Sequence, residues 1–173
     1  MRLIIKLLLC LCLMSATALS QERIRKVMVG TNGDETRIVI AFMEPAQEMY
    51  RLQSMIIDMT SVKNRNEQPT AVHVDLTSTD RSLATGEKKQ KILLLRWEKT
   101  GEIELKCNGK WVKHDTGAAI DKIVETTKAV IQSVPVDAKA PTEVTLPQEL
   151  EQKVSLILNS LYTENIPCLR DVH

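Results

Sequence analysis

The chain is poor in rings. Phe42, Tyr50, Trp97, Trp111 and Tyr162 are its only aromatic residues. Surfaces that grip sugars or single-stranded nucleic acid stack their ligands on several exposed rings, so both classes are disfavoured. Glycine is equally sparse. Positions 30, 33, 86, 101, 109 and 117 are too dispersed for a phosphate-cradling loop or a dinucleotide fingerprint, and no cofactor is implied. A Gly-x-Ser-x-Gly nucleophile elbow is missing, as is an Asn-x-Ser/Thr glycosylation sequon.

Charge of one sign is also lacking. The formal net charge is +1, and loss of Arg2 and Lys6 with an N-terminal leader would make it −1. A nearly neutral chain has no bulk attraction for nucleic acid or an anionic membrane.

Long apolar runs occur once, at Leu7 to Met14. With Arg2 and Lys6 before it and Ala18-Leu19-Ser20 after it, residues 1–20 read as a secretory signal peptide. The run falls short of the roughly 20 apolar residues of a transmembrane helix, so no stable membrane span is expected after cleavage. Residues 21–173 are then one secreted or periplasmic domain, long enough for a real core.

Cleavage leaves two cysteines, Cys107 and Cys168. In an oxidising compartment such a pair suggests a disulfide. It would close a loop of about 60 residues, worth roughly 4 kcal/mol in the chain-entropy picture. The alternative is two unpaired buried thiols, since cysteine packs as a small hydrophobe.

What is present is alternation. Lys91 to Lys113 reads as a three-strand meander. Ile92 to Leu95 form a short apolar run, expected as a strand covered on both faces. Gly101 breaks the chain, and Ile103, Leu105 and Cys107 then alternate with Glu104, Lys106 and Asn108. Asn108-Gly109 is a strong hairpin pattern, because a two-residue type I′ turn needs positive φ at both positions. A binding face carrying Trp97 and Trp111 is the functional reading of this stretch, and a structural sheet the plainer one.

Upstream, Arg23 to Val29 and Thr36 to Met43 read as strands around the Asn32-Gly33 turn, the second apolar on both sides and ended by Pro45. Residues 47–62 are ambiguous: Met49, Leu52, Ile56 and Met59 have helical spacing, while Met55, Ile57 and Met59 alternate. The propensities predict helix early and strand late, changing near Ser54. Lys63 to Pro69 reads as a polar loop, Ala71 to Leu76 as an edge or half-buried strand, and Thr77 to Gln90 as a mobile loop.

Downstream, Asp115 or Thr116 can cap a helix whose buried stripe is Ile120, Ile123, Val124, Thr127 and Ile131. Residues 135–144 read as a linker. Thr145 to Gln148 resembles a capping box before a second stripe, Leu150, Val154, Ile157, Leu158 and Leu161, and Asn165 onward reads as a tail. Strands first and helices last predict an α+β fold, an antiparallel meander sheet with two C-terminal helices packed on one face.

Three functional classes follow. The leading one is a non-enzymatic binding or interaction protein for another protein or a small apolar ligand, using the surface between sheet and helices or the loop 77–90. The second is a hydrolase-like enzyme assembled from His73, Asp75, Cys107 and His114, which needs those side chains to converge in one cleft. The third is a copper carrier built on Met28, Met43, Met49, Met55 and Met59, since thioethers suit copper(I); core packing is the plainer role for methionine.

Overall fold

The computed structural model describes residues 24–46, 49–60, 68–115, 117–135 and 141–172. The proposed leader 1–20, most of the loop 63–69, Thr116, and 136–140 of the linker lie outside the described residues.

Seven antiparallel strands follow one another: β1 (Ile24–Asn32), β2 (Glu35–Ala46), β3 (Met49–Thr60), β4 (Ala71–Ser82), β5 (Lys88–Glu98), β6 (Ile103–Cys107) and β7 (Lys110–Lys113). Helix α1 (Ala118–Ser133), β8 (Thr142–Glu143), α2 (Gln148–Thr163) and β9 (Arg170–Val172) complete the described chain. The sheet runs β7-β6-β5-β4-β3-β2-β1-β8. The protein is thus an α+β meander, as its order of patterns implies.

Val72, Val74 and Leu76 point inward as expected, whereas Ile92 to Leu95 are covered on one face only, with Leu93 and Leu95 buried and Ile92 and Leu94 half-buried. Val27, Val29, Ile38, Ile40, Phe42, Met55, Ile57, Met59, Val72, Val74, Leu76, Leu93, Leu95 and Trp97 share one buried face. Helix α2 lies across β3, β4 and β5, and α1 packs beside it. Its stripe Leu150, Val154, Ile157, Leu158 and Leu161 is buried as expected. In α1, Ile120, Ile123, Val124, Thr127 and Val130 are buried, whereas Ile131 is only half-buried. Each large aliphatic side chain so enclosed contributes roughly 1.5–3 kcal/mol relative to exposure.

The Asn108-Gly109 turn has φ of 49° and 82°, as a tight turn with two left-handed residues requires. Several expectations are corrected. The whole of 49–60 is strand, because Gln53, Met55, Ile57 and Met59 alternate into the core. Pro45 does not end β2; it pairs with Tyr50 near the strand's end, where a missing N–H is tolerated. Residues 77–90 are not a loop. β4 continues to Ser82 and β5 begins at Lys88, their pairing running through to Arg81 with Lys88. β4 is also an interior strand rather than an edge.

Neither helix has its expected side-chain cap. Gly117 and Pro147 occupy the N-cap positions without a side-chain capping bond. The linker's Thr142–Glu143 pairs with Met28 and Val29 of β1. The tail is held as well: Arg170–Val172 pairs with Gln90–Ile92 of β5.

Cys107 and Cys168 form a disulfide, with Cα atoms 4.8 Å apart across a sequence separation of 61. The alternative of two unpaired thiols is thereby removed. The bond joins the end of β6 to the segment between α2 and β9.

Candidate functional site

A two-residue period gives every strand a second face. On β1 to β7 that face meets no helix, and at its β1 margin Pro141 packs against Gly30. It can be read rung by rung from the strand register.

One rung is charged. It runs Arg37, Asp58, His73, Arg96, Glu104, Lys113 from β2 to β7. Arg37 donates from Nε and Nη2 to the two carboxylate oxygens of Asp58, at 2.6 and 2.9 Å. That carboxylate holds the Arg37 guanidinium above its ordinary pKa, chiefly through the hydrogen bond. Arg96 donates from Nε to Glu104 at 2.6 Å, and Lys113 donates to Glu102 at 2.7 Å. Opposite charges set across neighbouring strands each stabilise the sheet modestly.

Trp111 lies at the same end of this face. The Arg96 guanidinium sits 4.4 Å from its ring centroid and the Lys106 ammonium 5.6 Å. The His73 ring is 6.0 Å away. Such a cation-flanked indole is a fixed, amphipathic contact surface.

The next rung is apolar, Met28, Val39, Ile56 and Leu94, interrupted by Asp75. All five are half-buried by their neighbours alone. Asp75 accepts a hydrogen bond from Thr77 Oγ1 at 2.9 Å. Beyond it come Ala41, Ser54, Thr77 and Ile92, then Met43, Leu52, Thr79 and Gln90, then Tyr50, Arg81 and Lys88. An apolar rung bordered on one side by a charged rung with an arginine-flanked tryptophan, and on the other by mixed rungs, has the anatomy of a docking surface.

The residues singled out for catalysis are dispersed. Cys107 is in the disulfide, and its strand positions it with Leu105 on the helix-covered face, opposite to His73 and Asp75. His114 lies level with Ile103, whose carbonyl accepts its backbone N–H. That is the far end of β6 from Cys107, about 13 Å at the rise of a strand. The proposed hydrolase cleft is therefore not assembled.

The methionines also separate. Met55 and Met59 are buried under the helices, while Met28 and Met43 are on the open face. They do not make one thioether site. Among the described residues no three His, Cys, Asp or Glu side chains gather as metal ligands. Trp97 and Trp111 do not share a binding face either: Trp97 is in the core and Trp111 on the opposite side. The space between sheet and helices, expected as a binding surface, is filled by the core itself.

Under the C-terminal half of α2 the covered face turns polar. Arg51 donates from Nε and Nη2 to Asp80 at 2.7 and 3.0 Å, with its guanidinium 4.6 Å from the Tyr162 ring centroid. Gln53 donates to Asn159 at 2.9 Å. Burial pushes the Tyr162 hydroxyl above its ordinary pKa. These groups fix the register of helix on sheet.

Comparison with protein-family models, curated proteins and solved structures yields no match. No helix among the described residues is long and apolar enough to cross a membrane.

Proposed function

We propose that this is a non-enzymatic binding protein that works in an oxidising compartment outside the cytoplasm, and that the open face of its sheet docks another protein. The observation that carries this is the apolar rung Met28, Val39, Ile56 and Leu94, crossed by no helix among the described residues and bordered by the charged rung and Trp111. The face is hollowed beside Met28, Val39 and His73 and again beside Leu52, Thr79 and Gln90, and its apolar rung runs from β1 to β5, an extent that fits a protein. Tryptophan and arginine are the residue types that dominate binding energy at such surfaces.

The Cys107–Cys168 disulfide supports the compartment, since such bonds persist where thiols are oxidised. The separation of His73 and Asp75 from His114, and the loss of the Cys107 thiol to the disulfide, support a role without catalysis.

The test is a photo-crosslinking amino acid placed at Leu94 on the open face, or at Lys128 on the exposed side of α1, in the protein in its native compartment. A discrete adduct from position 94, absent from position 128 and lost on Ile56→Asp, supports the reading. No adduct, or the same adducts from both positions, refutes it. An adduct of twice the chain mass would identify the partner as a second copy.

A further inference from the structure

We propose that the end of the sheet where β3 begins and β4 turns into β5 docks on an anionic lipid surface. This goes beyond the protein-binding reading and rests on different residues. The exposed large apolar side chains among the described residues are Met49, Tyr50, Leu52, Leu83, Val112 and Leu156, at 40, 41, 50, 54, 49 and 68% exposure. The first four lie together. The β3–β4 register sets Met49 opposite Ser82, Tyr50 opposite Arg81 and Leu52 opposite Thr79, and Leu83 continues from Ser82 into the turn.

The same rung carries an electrostatic anomaly. Arg81 pairs directly with Lys88 across β4 and β5. Like charges placed opposite one another destabilise a sheet. Both are exposed, and neither forms an ion pair among the described residues. The carboxylates nearby are otherwise engaged: Asp80 with Arg51 at 2.7 Å, and Glu87 with Lys89 at 3.9 Å. Glu48, in the β2–β3 connection, lies outside the described residues.

The arrangement decides between partners. Tyr50 and Leu52 project from the open face, Met49 from the helix-covered face and Leu83 from the turn. Apolar groups thus stand on both faces of this end of the sheet and at its turn. A protein laid on one face would leave some of them in water, whereas a lipid interface receives a tip from all sides. Tyrosine, and the long stems of arginine and lysine, suit the boundary between headgroups and acyl chains. The near-neutral net charge argued against bulk attraction to a membrane. Screening over about 8 Å at physiological salt makes the local cation pair decisive instead.

The experiment uses residues 21–173, which contain every described element, in sedimentation with phosphatidylcholine vesicles made with and without phosphatidylglycerol. Binding is expected only to the anionic vesicles, and to weaken with salt. Arg81→Gln with Lys88→Gln should lower the partition coefficient about 30-fold, from about 1 kcal/mol per cation and tenfold per 1.4 kcal/mol. Tyr50→Ser with Leu52→Ser should lower it about tenfold or more, from the loss of inserted apolar area. Val112→Ser with Leu156→Ser, which removes exposed apolar groups elsewhere, should leave it unchanged, and circular dichroism confirms that each variant is folded.

The proposal is overturned by equal binding to both vesicle types, by no binding to either, or by anionic binding that the tip variants retain. Retention of dissolved dodecyl phosphate below its micelle concentration, with no vesicle binding, would also overturn it, by showing a soluble amphiphile as the occupant.

Discussion

Ile56 and Ile57 are consecutive residues of β3 with opposite surroundings. Ile57 is fully enclosed beneath the helices, while Ile56 lies half-exposed on the open face. The same holds along the neighbouring strands, where Ile38 and Val39, or Leu93 and Leu94, divide between the two sides. The open face keeps Met28, Val39, Ile56 and Leu94 among Asp75, Ser54 and Thr77, whereas the centre of the covered face is wholly apolar and packed. The covered face therefore accounts for the fold, and the apolar content of the open face calls for a different reason. The proposed partner supplies one.

The largest expected effect concerns the seam of the covered face. Replacing Cys107 and Cys168 together by serine should lower unfolding free energy by about 4 kcal/mol, through the entropy of the chain that the bond restrains. Urea unfolding of the oxidised protein against the double variant measures it. A loss below about 1 kcal/mol would show that α2 and β9 hold their places without the bond.

Next comes the direct contrast between faces. Ile57→Ala should cost about 3 kcal/mol, because it opens a cavity in an enclosed core. Ile56→Ala should cost under about 1 kcal/mol, since the site is already half in water. Equal losses from the two variants would break the contrast and imply a cover over the open face.

A smaller effect appears at high pH. The folded-state pKa of Tyr162 is raised by burial, so the folded state holds its proton after the unfolded state has released it. Stability should be unaffected by this group below about pH 10, the ordinary tyrosine value, and fall as pH rises beyond it. Tyr162→Phe should flatten that fall, read as the difference between the two unfolding curves against pH. Identical slopes would show that the hydroxyl is solvated.

The smallest effect belongs to the open face's charged rung. Arg37→Ala should cost at most about 1 kcal/mol, and less in high salt, because the Arg37–Asp58 pair is exposed to solvent. A larger, salt-insensitive loss would mean that this rung is structural rather than a border for a partner.

The covered face was legible in the sequence because period-2 alternation and two helical stripes each name their buried side. Residues 47–62 misled for a physical reason. Leu52 and Ile56 on the open face are apolar too, and together with Met49 and Met59 they imitate a helical stripe. Only burial of Gln53, Met55, Ile57 and Met59 reveals the strand. The outer halves of β4 and β5 were obscured differently. Thr77, Thr79, Arg81 and Gln90 have little apolar contrast, so nothing marks their faces, and backbone pairing alone makes them strand. The tip was illegible because its parts come from two distant segments that only the β3–β4 register brings together. Arg81 and Lys88 flanking a short turn were its one local trace.

The short strand β9 occupies the margin of β5 left uncovered by β6, which pairs only with Leu95 to Trp97. A free margin exposing ready backbone donors and acceptors invites strands from other molecules. With Cys168 anchoring the chain two residues upstream, Gln90 to Ile92 are paired from within, and that stretch of margin offers no backbone groups to a strand of another molecule.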